Sequence, residues 1–208
     1  MEAMSIEIDT RVAAAVLRQN PKLMRQEFTR VLGRKRPAQS GRRLAFHFRD
    51  LLYFRLKASL EESGVSLKPE DRQELYAVIM GRDGQRGRWR RFGQQLRHNG
   101  DTPIVIDLSR IATHLHTEWR DYVLGRAQIE TRPDVCSGQP VFKGTRVPVA
   151  QVVAMIRRGV PLPEIAEDYP GIDRAALNYA AIEARMGNTP GRPAKELQVG
   201  RRPGEAAH

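Results

Sequence analysis

The chain has 208 residues, enough to bury a sizeable core and to hold two modest domains, and its 35 Lys and Arg against 24 Asp and Glu leave a net charge of +11. Such an excess favours polyanionic partners through counterion release, nucleic acid first among them; the plainer reading is a basic surface that only maintains solubility. One cysteine, Cys136, excludes an internal disulfide framework and fits a reducing compartment. No apolar run approaches the roughly 18 residues that span a bilayer. The start, MEAMSIEIDT, lacks the pattern of a secretory signal, so a cytoplasmic protein without membrane contact is expected.

Residues 1–100 read as a basic, helical, DNA-binding-like domain. Asp9 or Thr10 can cap a helix through Arg11, Val12, Val16 and Leu17. Asn20-Pro21 stops it and opens a second helix bearing Leu23, Phe28, Val31 and Leu32, which Gly33 ends. From Arg25 to Arg49 eight basic side chains stand against one acid, Glu27, around the loop RKRPAQSGRR. Arg42, Arg43 and Arg49 are therefore expected to face solvent or a phosphate backbone. Phe48, Leu52, Leu56 and Leu60 then mark one helical face, with Leu51 beside it. Glu61 to Gly64 ends that helix, Val65-Ser66-Leu67 crosses over, and Pro69-Glu70-Asp71 opens another carrying Leu75, Val78 and Ile79. The F-x-F-R-D-L entry and S-G-V-S-L turn resemble the DNA-binding domain of MerR-like regulators over about forty residues. A plain helical hairpin with a basic face is the competing reading.

Between Gly81 and Gly100 the chain is rich in Gly and Arg, with Arg88, Arg90 and Arg91 around Trp89 and Phe92. It reads as a wing that grips phosphates while both aromatics anchor it to the core, or as a flexible connector. Stacking of Trp89 on a base is a further option. Residues 101–130 form a bridge: a strand over 102–108, a helix capped by Asp107 or Ser109 with the stripe Ile111, Leu115, Trp119 and Tyr122, a stop at Gly125, and a strand over 127–131 expected to pair with the earlier one. His114 and His116 stand two apart on that helix and point apart, against a shared metal.

Residues 131–186 carry the densest local signals. Gly138, Pro140 and Gly144 specify a tight loop anchored by Val141 and Phe142. Three short helices follow: one with Val149, Val152, Val153 and Ile156 on its inner face, a second after Pro161 with Ile165 and Ala166 inward, and a third capped by Asp173. In the third, Leu177, Ala180, Ala181 and Ala184 can pack while Arg174 and Asn178 remain available to guanine and adenine edges. The fold class expected is mainly α with a small β element: an N-terminal winged helix-turn-helix-like domain and a C-terminal three-helix helix-turn-helix module.

The string I-E-T-R-P-D-V-C-S-G-Q-P-V-F-K-G-T-R-V-P-V, followed by G-V-P-L-P-E-I-A-E-D-Y-P-G-I, resembles the domain of unknown function numbered 433 over about sixty residues from Ile129. The chain departs from that pattern at Ser137, where glycine is usual, and at Ile172, where leucine is common. The resemblance implies a VapB-type antitoxin module encoded beside a PIN-like toxin, and longer members are similar in carrying a MerR-like N-terminal region. Residues 187–208 hold almost no apolar content and read as a flexible cationic tail, whose Arg192, Arg201 or Arg202 would enter the acidic pocket of such a toxin.

No phosphate-binding glycine loop, zinc spacing or nucleophile with an evident base is visible, so neither an enzyme nor a cofactor is expected. Glu164, Glu167 and Asp168 would spread over different helix faces or cap a helix. The function expected is an antitoxin that neutralises a PIN-like toxin ribonuclease and represses its own operon as a homodimer on operator DNA. The alternative is a stand-alone MerR-like transcription regulator.

Overall fold

A computed structural model describes residues 7–33, 44–82, 87–100 and 103–186. The described chain is mainly α-helical, with three small antiparallel sheets. Asp9 closes β1 (Ile8–Asp9), and its carboxylate accepts from the backbone N–H groups of Arg11 and Val12, which makes Asp9 rather than Thr10 the cap of α1 (Thr10–Leu17). Asn20 caps α2 (Pro21–Gln26) in the same way, with Pro21 in the first turn. Beyond Gln26 the helix widens into a π-helical turn, Glu27–Val31. Glu27 accepts from the Tyr53 hydroxyl at 2.7 Å and lies 2.9 Å from the Arg72 guanidinium.

The strand β2 (Ala45–Phe46) pairs with β1 and leads into α3 (Phe48–Glu62) and α4 (Pro69–Ile79). An aromatic cluster fills the space between these elements, with Phe28 and Phe46 stacked at 4.5 Å and Tyr53 and Tyr76 edge to face at 5.3 Å. Asp50 is fully buried there, yet it accepts from the Tyr76 hydroxyl at 2.6 Å and from the His47 N–H at 2.8 Å. The charge is thus compensated, and the same carboxylate ties the start of α3 to α4.

After α4 a hairpin of β3 (Trp89–Phe92) and β4 (Gln95–His98) forms from the second part of the Gly- and Arg-rich stretch, and β5 (Ile104–Asp107) completes the sheet. Its two-residue turn starts at Gly93, whose φ of 59° suits glycine. Asp107 accepts from the Ser109 N–H at 2.8 Å and so caps α5 (Leu108–Ala127). Two expectations fail here. Gly125 does not end α5, which runs through it to Ala127. The strand after α5, β6 (Ile129–Thr131), pairs with β7 (Pro140–Phe142) and not with β5. A twenty-residue helix carries the chain about 30 Å away from β5, whereas β7 is reached by a short return through a 3-10 turn at Cys136–Gly138.

Three helices close the described chain: α6 (Val149–Arg157), α7 (Leu162–Asp168) and α8 (Arg174–Arg185). Phe142, Val152, Val153, Ile165, Leu177 and Ala180 belong to their core. Ala166, expected inward, is exposed, because α7 is so short that it buries Ile165 alone. The helix α8 joins both cores, giving Ile182 to the N-terminal one and Ala176, Leu177 and Ala180 to the other. It packs on α1, α5, α6 and α7, and only Arg174 and Arg185, at its two ends, are exposed.

Candidate nucleic-acid interface

Alternation along the hairpin divides its side chains into two faces. Trp89 and Leu96 are fully buried on the inner one. On the outer face Arg90 stands opposite Arg97, Phe92 opposite Gln95, and Val105 on β5 opposite Arg97. Phe92 is 52% exposed and Val105 62%. The Arg97 guanidinium lies over the Phe92 ring, 5.1 Å from its centre, and donates to Gln95 Oε1 at 3.1 Å. Asp107 stands at the end of β5 on this side, and hydrogen bonds from Ser109 hold its carboxyl below the usual carboxylate range. The register thus places two guanidinium side chains directly opposite each other on one face of the sheet.

The hairpin is fastened to α4 at its base. The Arg88 N–H donates to Glu74 Oε1 at 2.9 Å, the Arg88 guanidinium lies 3.3 Å from Asp71, and the His98 ring sits between Asp71 and the Trp89 indole, 4.8 Å from the latter. Arg88 therefore already spends part of its charge on an internal carboxylate. On α4 itself the residues toward solvent include Glu70 and Gln73, with Glu74 half-buried, and acids at that position repel phosphate.

Of the residues singled out in the sequence, Arg90 and Arg91 lie on β3, where Arg91 donates to the Gly93 carbonyl at 2.9 Å, and Arg88 just precedes it. Arg49 is exposed in the first turn of α3 and donates to the Met80 carbonyl at 3.1 Å, beyond the end of α4. Arg174 is exposed at the start of α8, in the other helical layer. Asn178 gives an amide hydrogen to Asp121 on α5 at 2.8 Å, so that hydrogen serves the α5–α8 contact. Arg42, Arg43, Arg192, Arg201 and Arg202 lie outside the described residues.

The two aromatics of the hairpin do not act together as anchors: Trp89 is buried and Phe92 is exposed. They stand three positions apart along a strand, which places them on opposite faces. Composition alone does not set Arg97 beside Phe92 and Arg90. Its signal is the pair of turn residues Gly93-Gln94, which sets the register that brings Arg97 opposite Arg90.

A second concavity, a cleft of about 610 Å³, opens between α1, β7, α6 and α8. Its guanidinium groups hold the end of α8: Arg11 donates to the Met186 carbonyl at 3.1 Å and Arg157 to that of Ala184 at 3.2 Å. Its acids are engaged too, since Asp9 caps α1 and Glu183 accepts from Tyr179. Among the described residues no three His, Cys, Asp or Glu side chains are grouped to hold a metal ion. No described helix is long and apolar enough to cross a membrane.

Fold and surface together define a mainly helical protein with an arginine-bearing three-stranded sheet in its first half and a small α/β unit at the end of its described chain. That unit is familiar. Residues 129–183 match the family described as Protein of unknown function (DUF433). Over 89 residues the chain is 30% identical to an uncharacterized protein, y4eO, of Sinorhizobium fredii. The matched stretch covers 43% of this chain and 40% of that relative, so less than half of the relative's length is represented. No solved structure matches the chain.

Proposed function

We propose that this protein is a nucleic-acid-binding regulator of the antitoxin type, which holds operator DNA through the β3–β4 hairpin and a PIN-like toxin through its C-terminal part. The observation that carries the DNA half of this reading is the outer face of the hairpin, where Arg90 and Arg97 face each other beside the exposed Phe92. The net charge of +11 supplies the long-range attraction. The toxin half rests on the resemblance of the segment matching DUF433 to antitoxin modules.

In this reading the DNA contacts are Arg90 and Arg97 on the outer face, with Arg91 exposed on the other side of β3 beside the turn. Arg174, next to the Ala175 that meets Gly125 near the far end of α5, lies away from the hairpin. The helix α8 is not the groove reader. Entry into a major groove needs an open helix face, and α8 is covered by four neighbouring helices. Its place in both cores suits it instead to hold the C-terminal unit against the N-terminal half.

Co-expression with the neighbouring reading frame tests the proposal. The full chain should retain that neighbour in a pull-down and restore growth to cells expressing it, and a chain lacking residues 187–208 reports whether the tail is needed. Operator binding with no retained neighbour supports the stand-alone regulator instead. Loss of both properties removes the proposal.

A further inference from the structure

We infer that the outer face of the β3–β4–β5 sheet is a stacking platform for unpaired bases, with Phe92 as the ring on which a base lies and Arg97 and Arg90 as the neighbouring phosphate contacts. This rests on the nucleic-acid reading of the hairpin given above, and it adds to the duplex phosphate contacts of Arg90 and Arg97 a second mode in which the same face takes unpaired bases.

Three features of the face separate a single strand from a duplex. The first is the exposed ring. A duplex offers phosphates and groove edges, and an aromatic side chain gains little from either, whereas every unpaired base has a π-face to lay on it. Phe92 is 52% exposed although the alternation of its own strand buries Trp89 completely. The second feature is the guanidinium 5.1 Å from the centre of that ring. It lies over one face of the ring and so begins a stack that a base extends, with its charge held there for the adjoining phosphate. The third is Val105, 62% exposed in register with Arg97 across β4–β5. It offers apolar area to a second base or a ribose, where a duplex backbone would prefer a donor. The arginines give the charge complementarity, and Asp107 at the end of β5 limits the track on that side.

The inner face explains why the platform is stable while so much of its surface is apolar and basic. Trp89 and Leu96 anchor the sheet, and Arg88 fastens its base to Asp71 and Glu74 on α4. Substitution of Phe92 therefore removes a side chain that the core does not use.

Fluorescence anisotropy with the full chain tests the inference, using labelled fifteen-nucleotide oligo-dT, oligo-rU and a mixed-sequence duplex of equal length. Wild type is expected to bind the single strands, Phe92→Ala to weaken that binding about tenfold, and Phe92→Tyr to restore it. Duplex affinity should change by less than about twofold in both variants, since no groove contact is lost. Whichever homopolymer binds more tightly identifies the source as DNA or RNA. Unaltered single-strand affinity in Phe92→Ala, with the thermal midpoint preserved, overturns the stacking platform and leaves the arginine contact standing. Absence of binding to every probe by wild type overturns the nucleic-acid reading itself.

Discussion

Gly125 on α5 and Ala175 on α8 meet so closely that a methyl group added to Gly125 would lie 2.2 Å from the Ala175 carbonyl oxygen. The same methyl would lie 2.5 Å from Tyr179 Cβ. The alanines of α8 and this one glycine of α5 let the two backbones approach, and that approach joins the N-terminal half to the C-terminal unit. Gly125→Ala should therefore cost about 1–3 kcal/mol of stability, and Gly125→Val more. Urea denaturation measures it. An unchanged midpoint would mean that the helices are not in contact as described.

The 3-10 turn before β7 contains a second backbone constraint. Ser137 has φ 56° and ψ 34°, in the left-handed region where a side chain is disfavoured and glycine is not. This is also the position at which the resemblance to the domain numbered 433 has glycine. Ser137→Gly should raise stability by about 0.5–1 kcal/mol, the relief of strain exceeding the added freedom of the unfolded chain. A lower melting temperature would show that the serine side chain holds the turn.

Tyr53 makes stability depend on pH at the alkaline end. Burial and the hydrogen bond to Glu27 push its hydroxyl well above the ordinary 10.0. The unfolded chain releases that proton near pH 10 while the folded chain keeps it, so this contribution is complete below pH 10 and falls as pH rises beyond it. Tyr53→Phe should cost about 1–2 kcal/mol at neutral pH. It should also make the alkaline loss shallower, with Tyr179 and Tyr122, both raised chiefly by burial, accounting for part of what remains. Parallel stability curves for the two proteins from pH 8 to 11 would contradict the assignment.

Asn178 distinguishes a helix that reads bases from one that joins two layers. Because its amide is bonded to Asp121, Asn178→Ala should lower stability by about 1 kcal/mol and leave DNA affinity within about twofold. The opposite pattern, intact stability with lost affinity, would return α8 to the DNA interface.

The helix starts were legible because caps act locally. Asp9, Asn20 and Asp173 each precede their helix and accept from the first free N–H groups, and Pro21 and Pro69 sit in first turns, whatever the rest of the chain does. Gly125 shows the limit of that logic. A glycine near a helix end reads as a stop, and only the crossing of α8 some fifty residues later explains it as an interior residue. The pairing of β6 with β7 was hidden for a similar reason, since two short strands of ordinary composition do not announce which neighbour they choose. At the candidate site the arginines were visible as composition, and their arrangement was not. Arg90 and Arg97 become a pair, and Phe92 becomes an exposed ring, only once the turn at Gly93 fixes the register.

The salt dependence of binding to duplex DNA from the region upstream of the protein's own gene is the most direct test of the central claim that the hairpin holds nucleic acid. Arg90→Ala combined with Arg97→Ala should weaken binding and reduce the slope of log affinity against log salt by about 1.8, two phosphate contacts at roughly 0.9 each. An unchanged slope, in a variant that keeps the wild-type melting temperature, would contradict it.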